Sequence, residues 1–325
     1  MFLVLVIILG AGFFALIKGA DLFVDGSVAL AKNFRVSGLI IGLTIVAVGT
    51  SAPELAVSTT AALQGANEIA LSNVVGSNIF NLLGVLGICA IIHPVSAQRE
   101  VLKRDFPFSI AATVLVFLLT GTGFIVSGNI MGTGMESNVG NVGRLSGAIL
   151  AMLFIAYIVY LVLDARKRPE EEENTEKQPV WKCIFFIALG LALIIGGGQG
   201  VVYSAKEIAE ALGMTETLIG LTIVAVGTSL PELVTSVVAA GKGETGLAVG
   251  NVVGSNIFNL MFILGISALI HPVSVNAASV YDIGILIFIS LLTLLFLRSA
   301  GTLKRSEGVV MVLIYIADVV FAIVR

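Results

Sequence analysis

The sequence predicts an all-α polytopic membrane protein: ten transmembrane helices arranged as two inverted five-helix repeats. Three observations carry that expectation, namely a strongly apolar composition, apolar runs of membrane-spanning length, and a pair of motifs that occurs twice in one register.

Of the 325 residues, 57% are apolar and 12% are charged. An ordinary soluble domain carries about twice that charged share. A chain this apolar cannot hide its side chains in one water-soluble core, so the solvent it expects is lipid. The net charge of −3 is small and gives no reason to expect a nucleic-acid partner. Two cysteines, Cys89 and Cys183, are too few for a disulfide framework and read as two buried thiols. The chain starts on an apolar run, Met1 to Ile8, with no early Lys or Arg. It lacks the basic start and small-residue cleavage site of a signal peptide, so it reads as a first transmembrane helix that is kept.

A bilayer core needs about 20 apolar residues per helix. Ten segments qualify, near 2–29, 37–63, 69–92, 106–128, 145–164, 181–204, 215–240, 246–270, 279–298 and 307–324. One polar stretch interrupts them, from Asp164 through Arg166, Lys167 and Arg168 to Pro179. The expected division is therefore a first repeat over 1–164, a solvated linker over 165–180, and a second repeat over 181–325.

The halves are related. Ile41 to Ser51 and Ile219 to Ser229 both read IGLTIVAVGTS, and Asn73 to Leu82 and Asn251 to Leu260 both read NVVGSNIFNL. One offset of 178 residues serves both matches and still holds at His93-Pro94 and His271-Pro272. This is an internal duplication. Five helices per unit is odd, so the second unit enters the membrane from the opposite side. Inverted repeats with a site at their midplane interface are a recurring transporter design.

Lys and Arg set the expected orientation. Lys32, Arg35, Arg99, Lys103, Arg104, Arg166, Lys167, Arg168, Lys177, Lys182, Lys242, Arg298, Lys304 and Arg305 fall on one face, 14 residues, against Arg144, Lys206 and Arg325 on the other. The linker is expected in the cytoplasm and both termini outside, in the plasma membrane.

Each half carries Gly-Thr-Ser-x-Pro-Glu-Leu inside an apolar segment, Gly49 to Leu55 and Gly227 to Leu233. Glu54 and Glu232 are thus expected near mid-membrane. An unpaired carboxylate at that depth costs several kcal/mol. No Lys or Arg repeats at equivalent depth in both halves, so a mobile cation or a proton is the shared way to compensate it. Pro53 and Pro231 lack the N–H that would bond the carbonyls of Gly49 and Gly227. Carbonyls around Ala47 to Thr50 and Ala225 to Thr228 are then expected to turn toward a cation. Thr50, Ser51, Glu54 and Ser58 lie along one side of their helix. Ser77 and Asn81, like Ser255 and Asn259, are four apart and share a helix face. Gly76 and Gly254 should let helices approach closely. Carboxylate, hydroxyl, amide and backbone oxygens suit hard cations such as Ca²⁺ and Na⁺, whereas zinc and copper favour nitrogen and sulfur. His93 and His271 are expected at helix ends on opposite sides. Lys18, Asp21 and Asp25 fall on Gly196, Gln199 and Tyr203 in the 178-residue register, so these charges read as the end of the first helix and not as part of a duplicated site.

The paired Gly-Thr-Ser-x-Pro-Glu and Gly-Asn-x-x-Gly-Ser-Asn motifs resemble the two alpha repeats of the cation/calcium exchanger superfamily, over nearly the whole chain. The second copy of the latter runs from Gly250 to Asn256, and the first has Ser72 in place of the leading glycine. Gly-Thr-Ser before the glutamate, where proton/calcium exchangers have Gly-Asn, is similar to the prokaryotic sodium/calcium branch. The resemblance implies ten helices, alternating access, and Na⁺ entering as Ca²⁺ leaves. Carried over by motif, it implies a ligand set of Glu54 and Glu232, the side chains of Thr50, Ser51, Ser77, Asn81, Thr228, Ser229, Ser255 and Asn259, and the carbonyls of Ala47 and Ala225. Some prokaryotic members have aspartate at the position of Asn259, so this core has two carboxylates, not three. The expected activity is Na⁺/Ca²⁺ antiport with no cofactor beyond the transported ions. The alternatives are H⁺/Ca²⁺ antiport on the same glutamates and, in another class, a cation channel. An enzyme is not expected, because no histidine stands at the depth of the buried serines to activate one.

Overall fold

A computed structural model of the chain describes residues 2–65, 68–126, 134, 135, 137–167, 178–214 and 225–324. Where no water reaches the backbone, each N–H and C=O must be satisfied within its own segment, and the apolar runs accordingly become helices. In chain order they are α1 (Phe2–Phe34), α2 (Gly38–Thr50), α3 (Ala52–Leu63), α4 (Glu68–Ile92), α5 (Phe106–Val126), α6 (Arg144–Lys167), α7 (Val180–Ala211), α8 (Ala225–Thr228), α9 (Leu230–Gly241), α10 (Thr245–Ile270), α11 (Ala277–Ala300) and α12 (Arg305–Val324). Six of them, α1, α4, α6, α7, α10 and α11, are long and apolar enough to cross a membrane, seven if the bent α2–α3 pair is one span. The expected segment 215–240 is described only from Ala225 onward, and residues 127–128 and the linker positions 168–177 also lie outside the described residues.

Short strands, which the sequence reading does not anticipate, tie helix ends together. β1 (Val95–Ser96) pairs antiparallel with β4 (Thr302–Leu303), and β2 (Asn138–Val142) with β3 (Val273–Asn276). Polar contacts reinforce the first junction. Arg298 donates to the Leu102 carbonyl at 3.1 Å, Arg305 to the Ile92 carbonyl at 3.4 Å, and Arg104 to Asp164 at 2.5 Å. Lys/Arg-rich segments around 93–105, 164 and 298–305 therefore meet at one end of the bundle. Beside them, buried Asp105 accepts from Arg104 at 2.7 Å and from the Tyr157 hydroxyl at 2.9 Å.

The longest helices, α1 and α7, run antiparallel in close contact. A Cβ added at Gly19 would lie 2.8 Å from the Gly190 carbonyl oxygen, and one at Gly12 would lie 2.9 Å from that of Gly197. Only glycine permits this approach, which gains van der Waals contact where lipid offers no hydrophobic drive. At 33 residues, α1 is about 50 Å long and outreaches the bilayer core of about 30 Å. It continues to Phe34, so Asp21 and Asp25 sit inside this helix and not at its end. Lys242, just past α9, meets Asp25 at 2.7 Å and Asp21 at 3.4 Å. The two cysteines are buried and unpaired with each other. His93 and His271 end α4 and α10 in extended conformation, exposed.

Gly254 is a close-approach position: a Cβ there would lie 2.7 Å from Leu43 Cα. At Gly76, among the described residues, nothing lies within 4 Å of such an atom. The 178-residue register places Leu221 opposite it, which lies outside the described residues.

Candidate functional site

Proline and the residue before it set the local backbone. Between α2 and α3 the chain bends by 48°. The bend falls at Ser51, whose φ of −82° and ψ of 11° leave the helical range, two residues ahead of Pro53. Ser229 repeats this conformation, with φ −94° and ψ 9°, ahead of Pro231. A proline in the first turn of a helix loses nothing there, but it denies the preceding turn a donor and crowds it. Glu54 and Glu232 therefore each stand in the first turn of a new helix, and both are fully buried.

The bend also releases the serine hydroxyl across the molecule. Ser51 donates to Glu232 Oε1 at 2.7 Å, and Ser229 donates to Glu54 Oε1 at 2.8 Å. Each half thus supplies the hydroxyl that the other half's glutamate accepts. Ser77 adds a contact to Glu54 Oε1 at 3.4 Å and lies 3.2 Å from Ser229 Oγ. Ser51 and Glu54 therefore do not act together along one helix side; the bend sends the serine to the opposite glutamate.

Two asparagines brace the glutamate helices. Asn73 Nδ2 donates to Ser58 Oγ at 3.0 Å and to the Glu54 carbonyl at 3.4 Å, and Asn251 Nδ2 donates to Ser236 Oγ at 2.9 Å and to the Glu232 carbonyl at 3.5 Å. Thr50 donates across the halves to Asn251 Oδ1 at 3.0 Å. A second group is formed by Asn78, Asn81, Asn256 and Asn259, all at most 1% exposed, joined by four side-chain amide bonds between the halves. The sequence reading names Asn81 and Asn259 as ligands and uses Asn73, Asn78, Asn251 and Asn256 only as motif residues, without a role in the site. The signal was there, because all four lie in the duplicated NVVGSNIFNL stretches. At Asn81–Val85 and at Phe258–Ile263 the helices widen to i→i+5 hydrogen bonding, a feature frequent at functional sites.

The carbonyl of Ala47 departs from expectation. It is not released by the proline, since it accepts from the Ser51 N–H at 3.1 Å, and the Thr50 and Ser255 hydroxyls also approach it, at 3.4 and 3.5 Å. Pro53 removes the donor of Gly49, four residues back, whereas Ala47's own donor is Ser51. In the other half the Ser229 N–H bonds Val226 at 3.2 Å, and Ala225 is the first described residue of its stretch. Thr228 is half-buried.

Among the described residues, four buried acceptors of this core have no partner: Glu54 Oε2, Glu232 Oε2, Asn81 Oδ1 and Asn259 Oδ1. They form two pairs in the 178-residue register. A buried unsatisfied acceptor costs about 1–3 kcal/mol, more when charged, so four of them in matched positions call for a positive group. Among the described residues no three of His, Cys, Asp and Glu converge as a metal cluster. The oxygens on offer, two carboxylate and otherwise neutral, fit a hard cation.

The family described as sodium/calcium exchanger protein matches residues 4–163 and 182–324. CaxA of Alkalimonas amylolytica is 38% identical over 97% of both chains. The sodium/calcium exchanger MaX1 of Methanosarcina acetivorans is 35% identical, again over 97% of each. Among solved structures, the sodium-calcium exchanger NCX_Mj soaked with 10 mM Na⁺ and zero Ca²⁺ superimposes with a TM-score of 0.83 at 30% identity, covering 98% of this chain and 99% of that one.

Proposed function

The chain belongs to the sodium/calcium exchanger protein family, a family of membrane transporters and not enzymes, and from this premise we propose that it exchanges Na⁺ for Ca²⁺ across the plasma membrane as a secondary active antiporter. The observation that carries the reading is the crossed serine–glutamate pair. It brings two carboxylates of different halves to one buried centre, each with one oxygen bonded and one oxygen open.

Two carboxylates neutralise one Ca²⁺ or two Na⁺, so the ions compete for one core. Glu54 and Glu232 are the charged ligands. Ser77, Asn81, Ser255 and Asn259 supply neutral oxygens, as do Thr50, Ser51, Thr228 and Ser229, and the carbonyls of Ala47 and Ala225 complete the set. Ser51, Ser229 and the Ala47 carbonyl hold internal hydrogen bonds here, so ion binding exchanges those bonds for coordination. Alternating access follows naturally if ten helices form two inverted repeats, 1–164 and 181–325. The paired contacts at the 178-residue offset support that arrangement. We place the 165–180 linker in the cytoplasm and both termini outside, because the Lys- and Arg-rich loops gather at one end.

Reconstitution into liposomes tests the coupling ion. An outward-directed Na⁺ gradient at constant pH is expected to drive radioactive Ca²⁺ uptake, and a pH gradient alone is not. Uptake driven by the pH gradient and indifferent to Na⁺ would replace this reading by H⁺/Ca²⁺ antiport on the same two glutamates. Unitary currents in a planar bilayer would replace it by a channel.

A further inference from the structure

An asparagine amide presents an oxygen on one side and a nitrogen on the other, and only the oxygen can coordinate a cation. Which side faces the ion must be settled by the other contacts of the amide. Asn256 Nδ2 lies 3.3 Å from the backbone carbonyl of Asn78. A backbone carbonyl only accepts, so this atom must be the nitrogen. Asn256 Oδ1 then faces Asn81 at 3.1 Å and can only accept. Asn81 must therefore present Nδ2 there, and its Oδ1 is turned away and left without a partner. The mirrored chain holds as well. Asn78 Nδ2 donates to the Asn256 carbonyl at 3.1 Å, and Asn259 Nδ2 donates to Asn78 Oδ1 at 3.0 Å, leaving Asn259 Oδ1 unpartnered.

We propose that Asn78 and Asn256 are positioning residues for the ion core: each uses its side-chain amide, anchored on a backbone carbonyl of the opposite half, to hold Asn259 or Asn81 with oxygen toward the ion. The proposal rests on the reading of Asn81 and Asn259 as ligands. It adds that the ligand of one half is oriented by the other half, so the core is assembled only when Asn78 and Asn256 face each other.

The test is a double-mutant cycle on the purified full-length protein, titrating Ca²⁺ calorimetrically in Na⁺-free buffer, with thermal unfolding followed in parallel. Asn81→Ala is expected to weaken Ca²⁺ binding. Asn256→Ala, which leaves every proposed ligand in place, is expected to weaken it by about 10- to 100-fold, the usual effect of losing a residue that orients a metal ligand. In the Asn81→Ala background no amide remains to orient, so Asn256→Ala should add less than about twofold. The same cycle with Asn78→Ala and Asn259→Ala repeats the test independently should one pair fail to fold. Full multiplication of the two losses would overturn the positioning role and leave the ligand reading standing. Unchanged Ca²⁺ binding in a folded Asn81→Ala protein would overturn the ligand reading and the proposal with it.

Discussion

Replacing Glu54 by Gln removes one charge and keeps the shape of the side chain. The Ser229 hydroxyl that donates to Glu54 at 2.8 Å can rotate to accept from the new amide, so the helix contact survives. Ca²⁺, however, meets one negative charge in place of two. Two unit charges 4 Å apart attract by about 4 kcal/mol at an effective dielectric constant of about 20. A divalent ion doubles that to about 8 kcal/mol. The glutamine amide oxygen remains as a neutral ligand and recovers part of this, which leaves a net loss of about 3–5 kcal/mol. At about 1.4 kcal/mol per decade, Ca²⁺ affinity should fall by two to four orders of magnitude. Glu232→Gln should fall by a similar factor, because Glu232 is as deeply buried and its Ser51 contact, at 2.7 Å, is equivalent. The assay is Ca²⁺ titration of the purified variants together with Na⁺-driven Ca²⁺ uptake in liposomes, on protein shown to be folded by its thermal unfolding. Near-normal uptake by either folded variant would refute the charge-balance argument.

Other expectations can be checked separately. Gly197→Ala should lower the unfolding temperature in detergent, by about 1–3 kcal/mol of overpacking, because its Cβ would lie 2.7 Å from the Gly12 carbonyl oxygen; Gly196→Ala, with nothing within 4 Å, should be neutral or slightly stabilising, and equal losses would contradict the α1–α7 packing. Asn251→Ala removes its bonds to Ser236 and Thr50 and should destabilise the protein by about 1–3 kcal/mol, since the buried Ser236 hydroxyl loses this donor and Thr50 keeps only its long contact to the Ala47 carbonyl; a thermal shift within error would count against it. Lys242→Gln breaks a partly exposed pair with Asp25 and should cost under about 1 kcal/mol, with the effect vanishing at high salt. Cysteines introduced in the 165–180 linker should resist an impermeant thiol reagent added to intact cells, whereas labelling would reverse the proposed orientation.

Much of this protein is legible in the sequence because it depends on properties local to the chain. Apolar runs in lipid must become helices, and the helices described at 2–34, 68–92, 144–167, 180–211 and 245–270 follow the runs to within several residues. The repeated stretches and Pro-Glu pairs can be read off by eye, and with them the two glutamates, the serine beside each, and the family itself.

What the chain pattern could not fix is which half a side chain addresses. Spacing places Ser51 and Glu54 together on one helix, yet Ser51 reaches Glu232, because a bend at a single φ/ψ pair redirects it. Proline chemistry correctly marks a broken turn, but the partner of the Ala47 carbonyl is decided by Ser51, four residues on. The asparagines that orient Asn81 and Asn259 are no different in sequence from those that pack helices. Their role exists only once residues 175 to 181 positions apart are brought within 3.0 to 3.3 Å, and hydrogen-bond direction, unlike hydrophobic periodicity, is a property of the partner as much as of the residue. The pairing of Lys242 with Asp21 and Asp25 has the same origin: charges without counterparts in the repeat acquire meaning only from the helix that tertiary packing lays against them.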